Sequence, residues 1–311
     1  MRYILTRLAQ AVLTMIGALT ILFLIVRLTP GDPAYIMLGD YATPELVAVI
    51  RERYGLDRPL PVQYVVYVAN VATGNFGVSF SRNLDVMSLV KSAWPYTATL
   101  AVASILVTGA IGLPLGVLAA LKRNTVADVA SMAIALIGVA APGFLLALVL
   151  IYTLSYHLGL FPVRGAGEDD ILSQLRALAL PALALGFNSA ALTARTTRSS
   201  LLGVLGEDYL RTARAKGLAP WPLLWGHAIR NALIPVLAVL GIQFGQLLGG
   251  AGVIELVFGR PGLGRLLIDA ILSRDYPLSQ ALITVLLAGV IVVNLLTDVL
   301  YGFVDPRVRN D

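Results

Sequence analysis

Glu207-Asp-Tyr-Leu-Arg-Thr-Ala-Arg-Ala-Lys-Gly217-Leu-Ala-Pro-Trp-Pro-Leu-Leu-Trp-Gly-His227-Ala-Ile-Arg-Asn231 is the longest charged run between apolar segments in the second half of the chain. Its acids come first, at Glu207 and Asp208, and its bases follow at Arg211, Arg214 and Lys216. That order suits a helix macrodipole, and Gly217 is the residue a helix C-terminus favours, because it enters the left-handed region without a Cβ clash. The pattern predicts a short helix, a turn, and a second helix with Pro222 at its first position, running through Asn231 into the next apolar segment. A helix of about ten residues spans only about 15 Å. It cannot cross a bilayer, so the stretch lies outside one.

Composition places the rest of the chain. Of 311 residues, 58% are hydrophobic and only 13% charged, where soluble domains carry roughly 25% charged. This is a membrane protein. The net charge of +5 does not indicate nucleic acid, since the bases are scattered through short loops and form no stripe. With no cysteine and two distant histidines, His157 and His227, neither a disulfide framework nor a cysteine/histidine metal cluster is available.

Six uncharged stretches are long enough to cross a hydrocarbon core, which takes about 20 residues. They give an all-α, polytopic protein with spans at 8–27, 96–121, 129–157, 177–201, 231–254 and 276–302. The third apolar stretch runs on to Val163, longer than one span needs. The first reads as a retained anchor, because its apolar run is too long for a signal peptide and no small-residue cleavage site follows. Six spans put both termini on one side. The loops 1–7, 122–128, 195–230 and 304–311 hold 12 Lys and Arg in 58 residues, whereas 27–95, 164–176 and 255–275 hold 11 in 103. The denser set is cytoplasmic by the positive-inside rule, and with it both termini and the opening stretch.

The outer segment 28–95 is too long for a connector and reads as a small helical cap. Thr43-Pro44-Glu45 starts a helix that Gly55 ends, and a second pattern from Pro61, with Val62, Val65, Val66 and Ala69 on one side, ends at Gly74. After the fifth span, Leu263, Leu266, Leu267, Ala270 and Ile271 share one face, as in a helix lying along the membrane interface.

Enzyme chemistry has no motif here. There is no Gly-x-Ser-x-Gly elbow, no His-Glu-x-x-His pair and no Walker-type loop. His157 reads as an interfacial packing residue, and Asp298 as a partner for a cytoplasmic base, with a gating or proton-linked role as the alternative. In the fifth span Gly241, Gly245 and Gly249 recur every four residues, the spacing that lets two helices pack closely. Gln243 and Gln246 fall on a neighbouring stripe. Amides are costly against lipid, so they either bond between helices or line a hydrated translocation path; Asn188 in the fourth span is a further candidate for that path. Trp221 and Trp225 suit interface anchors or a partner-binding surface equally well.

Tyr209-Leu-Arg-Thr-Ala-Arg-Ala-Lys-Gly217 followed by His227-Ala-Ile-Arg-Asn-Ala-Leu-Ile-Pro235 resembles the coupling loop of ABC-importer permeases of the dipeptide/oligopeptide/nickel group. The likeness covers nearly the whole chain. Leu28-Thr-Pro-Gly-Asp-Pro33, Gly74-Asn-Phe-Gly77-Val-Ser79, Val253-Ile-Glu-Leu-Val-Phe258, Pro261-Gly-Leu-Gly-Arg265, Arg274-Asp-Tyr-Pro277 and Asp305-Pro-Arg307 are similar to that group's first permease subunit. Two departures are visible. The general permease pattern begins Glu-Ala-Ala where this chain has Arg211-Thr212-Ala213, and ends Ile-x-Leu-Pro where it has His227-Ala228-Ile229-Arg230, so the general motif's Glu does not transfer.

The resemblance implies a type I importer permease fold in a bacterial or archaeal inner membrane. Its partners are a homologous second permease, two cytoplasmic ATPases and an external solute-binding protein. Residues Arg211, Thr212, Ala213, Arg214, Ala215, Lys216, Gly217 and Leu218, within a coupling loop at 203–230, would couple to an ATPase. The chain itself binds no cofactor; ATP and Mg sit on the ATPases. An ion-coupled secondary transporter is the alternative, and it calls for ionisable groups or paired broken helices near the midplane. A membrane scaffold would not need the glutamines.

Overall fold

The computed structural model describes residues 2–28, 32–165, 167 and 170–304. The turn residues 29–31 and the Asp305-Pro-Arg307 motif lie outside them. Among the described residues the regular structure is helical apart from an isolated antiparallel bridge between Val78 and Asp85. Five helices are long and apolar enough to cross a membrane: α1 (Arg2–Leu28), α5 (Val86–Leu121), α8 (Ile171–Leu205), the continuous helix Pro220–Phe258 and α13 (Tyr276–Val304).

The third expected span is not one straight helix. It is split into α6 (Val126–Ala140) and α7 (Gly143–Leu150), with α7 continuing as a wider π turn over Ile151–His157. The two halves meet at 98°. Pro142 is the cause: its nitrogen cannot donate, and the residue before a proline is driven out of the helical region. Ala141 is extended accordingly, at φ −88° and ψ 130°. The carbonyls freed at the break are met from α8, where Asn188 Nδ2 donates to Gly138 O at 2.7 Å and to Ala141 O at 3.4 Å.

Other spans exceed their expected limits. Asp85 caps α5 by accepting from Ser88 N at 2.8 Å, so α5 begins ten residues before Tyr96 and runs through Pro95. The first turns of the fifth expected span are likewise extended. α10 (Pro220–Pro222) passes through a π segment, Leu223–Ile229, into α11 (Arg230–Phe258) without a stop.

The centre of the bundle is α5 against α8. A Cβ at Gly116 would stand 2.5 Å from Ala194 O, and one at Gly186 would stand 2.5 Å from Ser104 O. Glycine is required where backbones approach that closely. α11 packs between α8 and α13, and α1 packs along α13 with most of its apolar side chains exposed. Such a surface belongs against lipid tails. At the two helix ends Tyr3 OH donates to Asp298 O at 2.9 Å and Arg7 pairs with the Asp298 carboxylate at 3.4 Å.

The segment before α5 folds as a cap of α2 (Pro33–Leu38), α3 (Pro44–Tyr54) and α4 (Leu60–Thr73). Thr43 Oγ1 accepts from Leu46 N at 3.3 Å to start α3, and left-handed Gly55 and Gly74 end α3 and α4. Ala34, Met37, Val47 and Ile50 form its core. Val62 and Val65 of α4 are exposed, while Gln63 is buried and Tyr64 and Tyr67 reach Thr20 and Thr284.

Candidate functional site

α9 (Asp208–Ala215) begins after Glu207 and ends at Lys216, whose N–H reaches Thr212 O at 3.0 Å. Gly217 then turns the chain at φ +83°. The second helix starts two residues earlier than its sequence suggests: Ala219 is extended, Pro220 holds the first position, and Pro222 lies within the first turn. Leu210 is fully buried and ties α9 to Ala120, Leu201, Leu223 and Ala228, from the ends of three long helices. Asn231 Nδ2 donates to Tyr209 OH at 2.8 Å. Against this anchored side, Arg211, Thr212, Arg214, Ala215, Lys216 and Gly217 are exposed, with Ala213 and Leu218 half-buried. Trp221 and Trp225 are also exposed beside them. The result is a basic knob anchored on one side by Leu210 and Tyr209.

The fifth-span residues divide by face. Gln243 is 3% exposed; its Nε2 donates to Ser189 O at 3.1 Å and its Oε1 accepts from Thr193 Oγ1 at 3.1 Å. Gln246 is exposed. The glycine series also splits. A Cβ on Gly241 would overlap Thr297, and one on Gly245 would stand 3.0 Å from Asn294 Oδ1, so these two seat α11 on α13. Gly249 does not share that packing: it is exposed with no neighbour within 4 Å of a Cβ position, because α11 rotates it away from α13. Ile242, Gln246, Gly249, Gly250 and Val253 thus form one open stripe. Asn188 sits on α8 at the α6 break, its amide engaged as described above.

Two buried acids stand near the other end of the bundle. Glu255 is fully buried; its Oε1 accepts from Thr97 Oγ1 at 2.6 Å and its Oε2 from Arg265 N at 3.0 Å. Thr97 Oγ1 in turn accepts from Leu263 N at 2.8 Å. The Pro261-Gly-Leu-Gly264 turn therefore closes over this carboxylate, and a Cβ at Gly262 would collide with it. The helix that follows, α12 (Leu263–Leu272), does more than lie along an interface. It buries Leu263, Leu266 and Ala270 against α5 and α13, leaving Ile271 and Leu272 exposed.

Asp275 caps α13 and is fully buried too. Ser79 Oγ, Ser81 N and Ser81 Oγ donate to its Oδ2 at 2.5, 2.9 and 2.8 Å, and Leu278 N donates to Oδ1 at 3.1 Å. Burial alone would raise this carboxyl, but the hydrogen bonds from Ser79, Ser81 and Leu278 outweigh it and hold it below the usual carboxylate range. Sequence reasoning quoted the segments around both acids and assigned neither a role. For Glu255 the available signal is an acid set among apolar residues, which survives burial only with partners; for Asp275 it is an acid at the start of the last span, the place of a helix N-cap. Among the described residues no group of three or more His, Cys, Asp or Glu could hold a metal ion.

Comparison with known proteins fits this geometry. Residues 112–310 match the family model described as binding-protein-dependent transport system inner membrane component, and residues 1–101 match that of the component's N-terminal part. The di/tripeptide transport system permease protein of Pseudomonas aeruginosa is 42% identical over 99% of this chain and 98% of its own length. The dipeptide transport system permease protein of Escherichia coli K12 is 39% identical over 100% and 99%, and the glutathione transport system permease protein of Salmonella choleraesuis is 40% identical over 99% of each. Among solved structures, an inward-facing MetNI methionine ABC transporter chain superposes with a TM-score of 0.58 at 20% identity, covering 70% of this chain and 97% of that one. That likeness concerns the fold, and it is the type I importer permease fold. The matches leave the ion-coupled alternative without support. The chain belongs to the family of binding-protein-dependent transport system inner membrane components: it is a permease subunit of an ABC importer in a bacterial inner membrane, a family that works with an ATPase and a substrate-binding protein.

Proposed function

We propose that this chain forms one half of the translocation path of an importer for short peptides, paired with a homologous second permease. The observation that carries the reading is the single helix from Pro220 to Phe258. At one end it begins three residues after Gly217, and in its second half it carries the open stripe from Ile242 to Val253. At about 1.5 Å per residue its 39 residues run to about 58 Å, so a push on the exposed knob displaces the stripe directly. The residues 211–218 seat on one of two cytoplasmic ATPases, which hold the ATP and Mg; this chain binds neither. Gln246, Gly249 and Gly250 face the path and the second permease. Gln243 and Asn188 border the path from behind, holding α11 and the α6 break in place. Both termini lie in the cytoplasm, and the cap at 28–95 meets the solute-binding protein outside.

Short peptides are the solute class because the relatives named for di/tripeptides, dipeptides and glutathione all carry small peptide-bonded substrates in their names. The test is uptake of a labelled dipeptide by proteoliposomes holding the whole complex and its binding protein. Uptake should require ATP on the ATPase side, persist without a proton or sodium gradient, and be competed by unlabelled di- and tripeptides. Uptake driven by a gradient without ATP would overturn the mechanism, and ATP-driven uptake that peptides fail to compete would overturn the solute class.

A further inference from the structure

Arg27 in the last turn of α1, the cap, the 75–78 turn and the start of α13 line a cavity of about 440 Å³. Three guanidiniums line it, those of Arg27, Arg53 and Arg58, against the single carboxylate of Glu52. Among the described residues the ion pairs use Arg7, Arg51, Arg82, Arg198 and Arg211, and none of these three. Arg27 is held in place: its Nε donates to Gln63 Oε1 at 2.8 Å, and its guanidinium lies 5.5 Å from the Phe23 ring centre. Gln63 is fixed in turn by donating to Leu56 O and Arg58 O at 3.2 and 2.7 Å. The terminal amines of Arg27 have no acceptor among the described residues. A half-buried guanidinium with four free N–H groups is an incomplete arrangement, and an anion with several oxygens completes it.

The surroundings indicate where that anion comes from. Ile21, Leu24, Ile25 and Leu28 of α1 are exposed, as are Leu60, Val62 and Val65 of α4. Arg27 therefore comes at the end of a lipid-facing run, at the depth where headgroups lie, beside a second apolar surface from the cap. Guanidiniums gathered beside a lipid-facing surface are suited to a phosphate headgroup, whose oxygens several N–H donors can hold at once. We propose that this cavity binds the phosphate of an anionic phospholipid, with Arg27 as its inner ligand and Arg53 and Arg58 at its mouth. The bound lipid would join α1, the cap and α13, three parts that meet at the cavity. The inference does not depend on which solute the importer carries.

Purified full-length chain in detergent is titrated with short-chain phosphatidylglycerol or phosphatidylcholine, and bound lipid is counted by native mass spectrometry. Phosphatidylglycerol should be held about tenfold more tightly. Arg27→Gln should abolish the preference. The double variant of the exposed pair, Arg53→Gln with Arg58→Gln, should weaken phosphatidylglycerol binding about tenfold without touching the Gln63 contacts, and Glu52→Gln should strengthen it. Inorganic phosphate at millimolar concentration should compete in the wild type. Equal phosphatidylglycerol binding by the wild type and the double variant would overturn the proposal. Binding of inorganic phosphate without any preference between the lipids would overturn the lipid as its source.

Discussion

Asp275→Asn keeps the shape of the side chain that joins the cap to α13 and removes its charge. In the wild type three donors converge on Oδ2 and one on Oδ1. The asparagine has one carbonyl oxygen and must choose. Turned towards Ser79 and Ser81, it keeps three bonds weakened from charged to neutral, a loss of about 1 kcal/mol each, and sets its amide against Leu278 N–H for about 1 to 2 more. The opposite rotamer leaves three donors unsatisfied and costs more. The expected penalty is about 4 to 5 kcal/mol, felt where residues 79–85 leave the bundle. It should appear as amide exchange at Ser81 and Val86 at least about a hundredfold faster by mass spectrometry, with the α5–α8 centre unchanged. Acid should mimic it. Because the folded carboxyl lies below its unfolded value, its contribution is complete above the ordinary carboxylate range and is lost as pH falls through the folded value. The variant should lack that acid step. Exchange in 79–85 indistinguishable from wild type at neutral pH would refute the argument that this carboxylate fastens the cap.

A cysteine at Gln246 should react with a water-soluble thiol reagent in the assembled importer, at a rate that changes with ATP, whereas a cysteine at Gln243 should stay inert. Inertness at both in every state would remove the stripe from the path. A reporter inserted near Asn124 should register as cytoplasmic and one near Asn83 as external; the reverse would move the knob at 207–218 to the wrong side for an ATPase.

Local chemistry made much of the fold legible. Thr43, Gly55, Gly74 and Gly217 mark helix ends because capping and left-handed turns depend on neighbours a few residues away. Prolines were harder. Pro142 breaks a helix and Pro95 does not, because in a membrane bundle the freed carbonyls are tolerated wherever another group meets them, and the partner at the break, Asn188, lies 50 residues from Gly138. The acids show the same limit. Thr97 and Glu255 are 158 residues apart, Ser79 and Asp275 196, so each acid's partner lies far along the chain, and the motifs holding Ser79 and Asp275 prove to be two halves of one contact. Gln243 and Gln246 look equivalent in sequence. The rotation of α11 separates them, and Gly241 against Thr297 and Gly245 against Asn294 set that rotation.

The most direct test of coupling through the exposed knob is Gly217→Val in the reconstituted complex. Gly217 has open space at its Cβ position, so the substitution brings no clash, only the left-handed strain of φ +83°, about 1 to 2 kcal/mol and more for a β-branched residue. That is too little to unfold the bundle and enough to redirect 218–225. Gly203→Val, also exposed with open space but in helical backbone, is the comparison. The account predicts that Gly217→Val assembles in the membrane at wild-type abundance, loses ATP-driven uptake, and no longer couples solute to ATP hydrolysis, while Gly203→Val transports normally. Full uptake by Gly217→Val at wild-type abundance would contradict it.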